Sequence, residues 1–189
     1  MKKTVIAGAF MLASASASAA GFNYNYLELG YGDIDHGDAI FFGGSAQIQR
    51  GLDLVGSYYD LDFDGPASGS IFTAGVQFNT PIGPKTDFVG SVQLIKAEWE
   101  VEYRYNHRTR SVSDDDTGLM LRGGVRHAIQ SNILLEGDIS YISNDFWDNN
   151  ELGLKADVRF YATRQFSVAA GVASDQELDG IFVSGRFDL

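Results

Sequence analysis

Proton transfer near neutral pH falls most readily to histidine, and the 189-residue chain has three. His36 stands beside Asp35 and Asp38, so a carboxylate could orient it as a general base. Neither a serine motif nor a matched carboxylate pair accompanies it. His107 sits among Arg104, Arg108 and Arg110 and reads as a solvated loop residue, while His127 falls on the apolar face of an alternating segment and reads as interfacial. Cysteine is absent, which excludes a thiolate nucleophile, a thiolate metal site, a disulfide framework and a lipid-carrying cysteine. Asp114-Asp115-Asp116 has the charge for a hard cation but lacks the glycine and terminal glutamate of an EF-hand loop. The expectation is no catalytic residue, no metal ligand and no cofactor.

The chemistry the sequence does offer is ion pairing on a two-residue beat. Glu28, Asp53, Glu136, Asp138, Asp157 and Asp188 share the less apolar face of alternating segments with Arg122, Arg126, Lys155, Arg159 and Arg186. Six acids against five bases predict a paired network, because an isolated charge away from water is costly and a hydrogen-bonded partner offsets that cost. A charged constriction that selects ions is the alternative. Tyr26, Tyr59, Tyr161 and Phe182 fall on the same face and narrow it. A second cationic group, Lys96 with Arg104, Arg108 and Arg110, suits bidentate contact with the phosphates of lipopolysaccharide. The acids of the long connections, Asp33, Asp35, Asp38, Asp62, Asp64, Asp114, Asp115, Asp116, Asp145 and Asp148, form a solvated surface.

Strands must carry these faces. Glycine at 22 residues and aromatics at 13% disfavour helix. The period of two is clearest where Ile133, Leu135, Gly137, Ile139 and Tyr141 alternate with Leu134, Glu136, Asp138 and Ser140. It returns over 152–161, 166–172 and 181–189, and with less contrast over about 22–32, 39–49, 51–61, 69–79, 87–100 and 117–129. Ten strands result, with eight as the alternative count. Their connections alternate between short turns and longer Asp-rich loops, and Pro66, Pro81 and Pro84 all fall in connections, where no ladder hydrogen bond is lost.

Residues 1–20 read as a cleaved secretory signal: Lys2 and Lys3, then the apolar run Val5–Leu12, then Ala17-Ser18-Ala19. The domain is residues 21–189. Net charge is −11 for the whole chain, too acidic for nucleic acid. After the signal no apolar run reaches the roughly 18 residues of a membrane helix. A soluble barrel could show the same alternation, but strands of about eleven residues suit a tilted bilayer crossing. Aromatics cluster at both strand ends of the apolar face: Tyr31, Phe42, Tyr58, Phe72 and Tyr141 toward the long loops, and Phe78, Phe88, Phe160, Phe166 and Phe187 toward the short turns. That is a double aromatic girdle. The final segment keeps Ile181, Val183, Gly185, Phe187 and Leu189 in phase, so Phe187 and Leu189 form the expected membrane-insertion end.

With the segment Tyr24-Asn25-Tyr26-Leu27-Glu28-Leu29-Gly30-Tyr31, the start Thr86-Asp87-Phe88-Val89 and a glycine-plus-aromatic last strand, the chain resembles the small single-domain bacterial outer-membrane β-barrels of the OmpA N-terminal, OmpX and opacity-protein type. Leu189 stands where that family usually ends on Phe or Trp. The resemblance implies an antiparallel up-and-down barrel in the outer membrane, inserted by the outer-membrane assembly machinery, with lipid and lipopolysaccharide as surroundings and a monomer as the expected state. It does not imply an activity. The expected role is non-enzymatic, contributing to envelope integrity and surface interaction through acidic loops. A narrow channel for small solutes or ions is the alternative, and a lipid A hydrolase or omptin-like protease at the outer rim the weaker one.

Overall fold

The computed structural model describes residues 22–105, 108–144, 151–174 and 179–189. The expected signal segment and His107, Asp145 and Asp148 lie outside them. Ten strands form one closed antiparallel barrel: β1 Tyr26–Ile34, β2 Gly37–Gln49, β3 Leu52–Phe63, β4 Ala67–Gly83, β5 Thr86–Tyr105, β6 Arg108–Gln130, β7 Ile133–Asn144, β8 Glu151–Tyr161, β9 Phe166–Ser174 and β10 Gly180–Asp188. Each strand pairs with its sequence neighbours, and β1 closes on β10 from Tyr26↔Asp188 to Ile34↔Gly180. Closure leaves no sheet edge in the belt that all ten strands share, which a chain in lipid requires because exposed backbone polar groups there find no partner.

The pairing register fixes the tilt. A row of paired residues that starts at Pro81 on β4 runs through Asp87, Arg126, Glu136, Asp157, Gly171, Phe182, Gly32, Ala39 and Leu61, and returns to β4 at Gly69. The row has climbed twelve residues, from Pro81 to Gly69, which for ten strands corresponds to a tilt of about 40°.

The surface is inside-out relative to a soluble barrel. Leu94 is 69% exposed and Ile181 62%, whereas Asp53 and Arg159 are fully buried. Outward apolar residues ring the wall, among them Leu29, Leu54, Val76, Val92, Leu121, Ile139, Leu154, Val168 and Val183. In the upper girdle Phe42, Tyr58 and Phe72 are direct cross-strand neighbours; in the lower one Phe78 packs on Phe88 with ring centroids 5.8 Å apart.

Beyond the upper girdle the alternation inverts. Outward positions become Asp33, Asp38, Asp60, Asp62, Lys96, Glu98 and Asp115, all exposed. Inward positions become Ala39, Leu61, Ile71, Ile95, Ala97, Met120 and Ile142, which form one buried apolar cluster with Ile34, Tyr59, Phe63 and Trp99 against it. The cause is a change of solvent: below the girdle the wall faces lipid and polar groups gather inside, while above it the wall faces water and the hydrophobic effect drives apolar groups inward.

Several expected boundaries shift for the same reason. The stretches expected as loops at 33–38 and 102–116 are largely paired strand: β1 turns into β2 through Asp35-His36 alone, and Glu102 pairs with Ser111. Continuing the ladder into water satisfies the backbone as well as a loop would. His36 takes φ of 69° in this turn, a left-handed conformation that histidine tolerates better than most side chains. Pro81 lies in β4, not in a connection, at an irregularity between Pro81 and Gly83, where its missing N–H is least costly.

Candidate functional site in the barrel lumen

Because inward residues recur every second position, the tilted register stacks side chains from distant strands into layers. The lowest layer is the segment before β1. Tyr24, 2% exposed, folds under the barrel and donates from its hydroxyl to Asp87 Oδ2 at 2.8 Å. Burial pushes the Tyr24 phenol above its ordinary range, Arg126 opposes that, and the hydrogen bond to Asp87 adds to it. Asn25 anchors the segment by accepting from the backbone N–H of Gln47 at 2.7 Å and, through its carbonyl, from that of Leu189 at 2.9 Å. Beside it, Asp53 Oδ2 accepts from Asn79 at 2.7 Å and Gln77 at 3.2 Å.

The next layer is ionic. Glu28 accepts from Arg159 Nη2 at 2.7 Å, from Ser184 Oγ at 2.6 Å and from Arg186 Nε and Nη2 at 3.1 and 2.9 Å. Glu136 Oε1 lies 3.3 Å from Arg186 Nη1, 3.4 Å from Arg126 Nε and 3.8 Å from Arg159 Nε. Asp157 stands directly across from Glu136, so three carboxylates face three guanidiniums. Rings complete the layer, with the Arg186 guanidinium 4.0 Å from the Tyr26 ring centroid and that of Arg126 4.8 Å from Tyr24. Breaking one member would strand the others in low dielectric, so the layer resists opening.

Above it, Arg122 Nε lies 3.2 Å from Asp138 Oδ1, and Lys155 Nζ lies 4.5 Å from the Phe182 ring centroid. Phe182 lies over the inner wall of the adjacent strand because its cross-strand neighbour is Gly171, where a Cβ would come within 2.7 Å of the Phe182 ring. Phe41 lies over Gly30 likewise, where a Cβ would collide with its ring. A cavity of about 160 Å³ lies between this level and the apolar cluster, and another of about 110 Å³ reaches down into the ionic layer.

The candidate residues are thus distributed unevenly. Glu28, Glu136, Arg126, Arg159 and Arg186 meet in one network, Arg122 and Asp138 pair separately, Lys155 is the cross-strand neighbour of Asp138 but rests on the Phe182 ring, and Asp53 belongs to the lower amide cluster. Lys96 is held by Glu98 at 2.8 Å and Asp115 at 3.6 Å. It sits eight residues below Arg104 on β5, roughly 26 Å along the strand, so the cationic group expected to include both is split. Arg104, Arg108 and Arg110 are in the β5–β6 ladder, paired with Thr109, Tyr105 and Tyr103. Phe187 and Leu189 are exposed on the outer wall. Asp38, expected to flank His36, instead accepts from the Tyr31 hydroxyl, and His127 Nδ1 contacts Thr86 Oγ1 at 2.9 Å on the outer face. Among the described residues no group of three His, Cys, Asp or Glu side chains converges as a metal site.

Neither a family model nor a characterised protein sequence matches the chain. Solved structures do. The KdgM porin aligns with 87% of this chain and 99% of its own at 8% identity and a TM-score of 0.51, and KdgM in complex with disordered oligogalacturonate gives the same TM-score at 9% identity. The chain has the fold of the small outer-membrane β-barrels. The N-terminal barrel of Pseudomonas aeruginosa OprF is a more distant likeness, 9% identical with a TM-score of 0.46 over 89% of this chain and 100% of that one. At such identities the likeness extends to fold and not to activity.

Proposed function

We propose that this outer-membrane barrel is non-enzymatic and closed, that it contributes to envelope integrity, and that it presents its acidic hairpins to the surroundings. The observation that carries the reading is the ionic layer: Glu28 and Glu136 between Arg126, Arg159 and Arg186 set buried, paired charge across the lumen, and Tyr24 stoppers it below. Lipid surrounds the apolar belt, the outer-membrane assembly machinery inserts it through the Phe187 and Leu189 end, and the barrel acts as a monomer. Contact with lipopolysaccharide falls to Arg104, Arg108 and Arg110, since Lys96 is already engaged by two carboxylates. A narrow channel is the second reading, favoured by two cavities that share Arg122, Asp138 and Lys155 in their linings. Dye-loaded proteoliposomes separate the two. A closed barrel releases potassium and small dyes no faster than empty vesicles; rapid efflux of small ions would make the channel the function.

A further inference from the structure

We propose that the cavity in the extracellular half of the lumen binds a small monocarboxylic acid with an apolar body, on the scale of one aromatic ring. Its volume, about 160 Å³, is of the order that admits a benzene-sized guest when the walls are aliphatic and aromatic. The walls here are Leu61, Ile71, Ile95, Trp99, Met120 and Ile142. They lie on the water-facing side of the upper girdle, so a ligand reaches them without crossing lipid.

The floor sets the charge of the ligand. Arg122 and Lys155 face one carboxylate there, Asp138, and Arg122 holds it. Lys155 Nζ has the Phe182 ring face at 4.5 Å, and no carboxylate of the described residues lies within 4 Å of it. Asp138 is its cross-strand neighbour and Asp157 lies one inward step below on β8, yet the ammonium rests on the ring. Glu28 and Glu136 beneath are engaged by three arginines. At this level the two cations outnumber the one carboxylate, so the bottom of the apolar cup is locally positive, and the Lys155 ammonium is held by a cation–π contact that a carboxylate would outcompete. An amine would be repelled, and a neutral molecule would gain only the walls.

The test uses para-fluorobenzoate, followed by fluorine NMR against the folded barrel in lipid nanodiscs, with empty nanodiscs correcting for partition. Saturable binding that unlabelled benzoate displaces is expected, about tenfold weaker for para-fluorobenzyl alcohol and absent for para-fluorobenzylamine. Lys155→Gln should weaken the acid about tenfold and leave the alcohol nearly unchanged. Gly32→Leu supplies a second, independent variant. A Cβ at Gly32 meets nothing closer than the Ile181 carbonyl at 3.5 Å, so the backbone accommodates it while the rest of the side chain occupies the cavity, and both acid and alcohol should lose binding. Each variant is first checked for the heat-dependent gel shift of a folded barrel. No saturable binding to the parent protein, wild-type affinity for the acid in Lys155→Gln, or wild-type affinity in Gly32→Leu would each overturn the proposal.

Discussion

Glu28 is the residue on which the lumen turns, because its two oxygens take four hydrogen bonds from Arg159, Arg186 and Ser184. Glu28→Ala leaves two buried guanidiniums short of a counter-charge, and unfolding in lipid by urea should show a loss of about 3–5 kcal/mol. Glu98→Gln is the contrast: it removes a partner from Lys96 on the exposed wall, where solvent screens the pair, and the urea midpoint should not move. Tyr24→Phe should cost about 1–3 kcal/mol, since it strips the hydroxyl donor from the buried Asp87 carboxylate. The sign of its pH dependence follows from burial. A folded-state pKa raised above the ordinary 10.0 means that the unfolded chain loses the phenol proton first. Stability therefore falls as pH rises past about 10, and that alkaline slope should be smaller in Tyr24→Phe. Arg126 and Glu136, direct cross-strand neighbours, were legible from parity alone. Tyr24 falls in the stretch expected as strand, in phase with Tyr26 and Glu28, but parity does not reveal that it folds under the barrel before β1 and meets Asp87; Asp87 shares parity with the inward Ser91 and Gln93.

At the scale of the strand, the decisive feature is where alternation changes sign. β5 reads Val92, Leu94 outward and Ser91, Gln93 inward, then Lys96, Glu98 outward and Ile95, Ala97 inward. Val92 is in register with Val76, between Phe72 and Phe78 on β4, so Val92→Arg should cost about 2–4 kcal/mol of folding free energy in a bilayer. Asp60→Arg, outward on β3 beyond Tyr58, should fold with unchanged yield. Phe187→Asp and Leu189→Asp test the insertion end, and both should lower the fraction of heat-modifiable, folded protein. Strand number and the lipid-facing register were readable in the sequence because one solvent governs most of each strand. The apolar upper lumen was hidden by the switch: Leu94-Ile95, Leu119-Met120-Leu121 and Tyr141-Ile142 look like blurred alternation until two solvents are assigned to the two ends. The same blurring made paired strand look like acidic loop.

For the molecule as a whole, a ten-stranded wall tilted by about 40° leaves a lumen that four layers of side chains occupy: Tyr24 with the Asp53 cluster, the Glu28–Glu136 ionic layer, the Arg122–Asp138 level, and the apolar cluster from Ala39 to Ile142. Each layer draws on strands far apart in sequence. Parity therefore identified many of the members, while the vertical order needed the register. The central claim is that these layers close the barrel. Single-channel recording of the purified protein in planar bilayers tests it most directly, with Arg122→Gln/Arg126→Gln measured beside it. The account predicts no steady conductance for the parent barrel and loss of stability, with transient leak, for the double variant. Large, stable unitary currents from the parent, together with a double variant as stable as its parent, would contradict it.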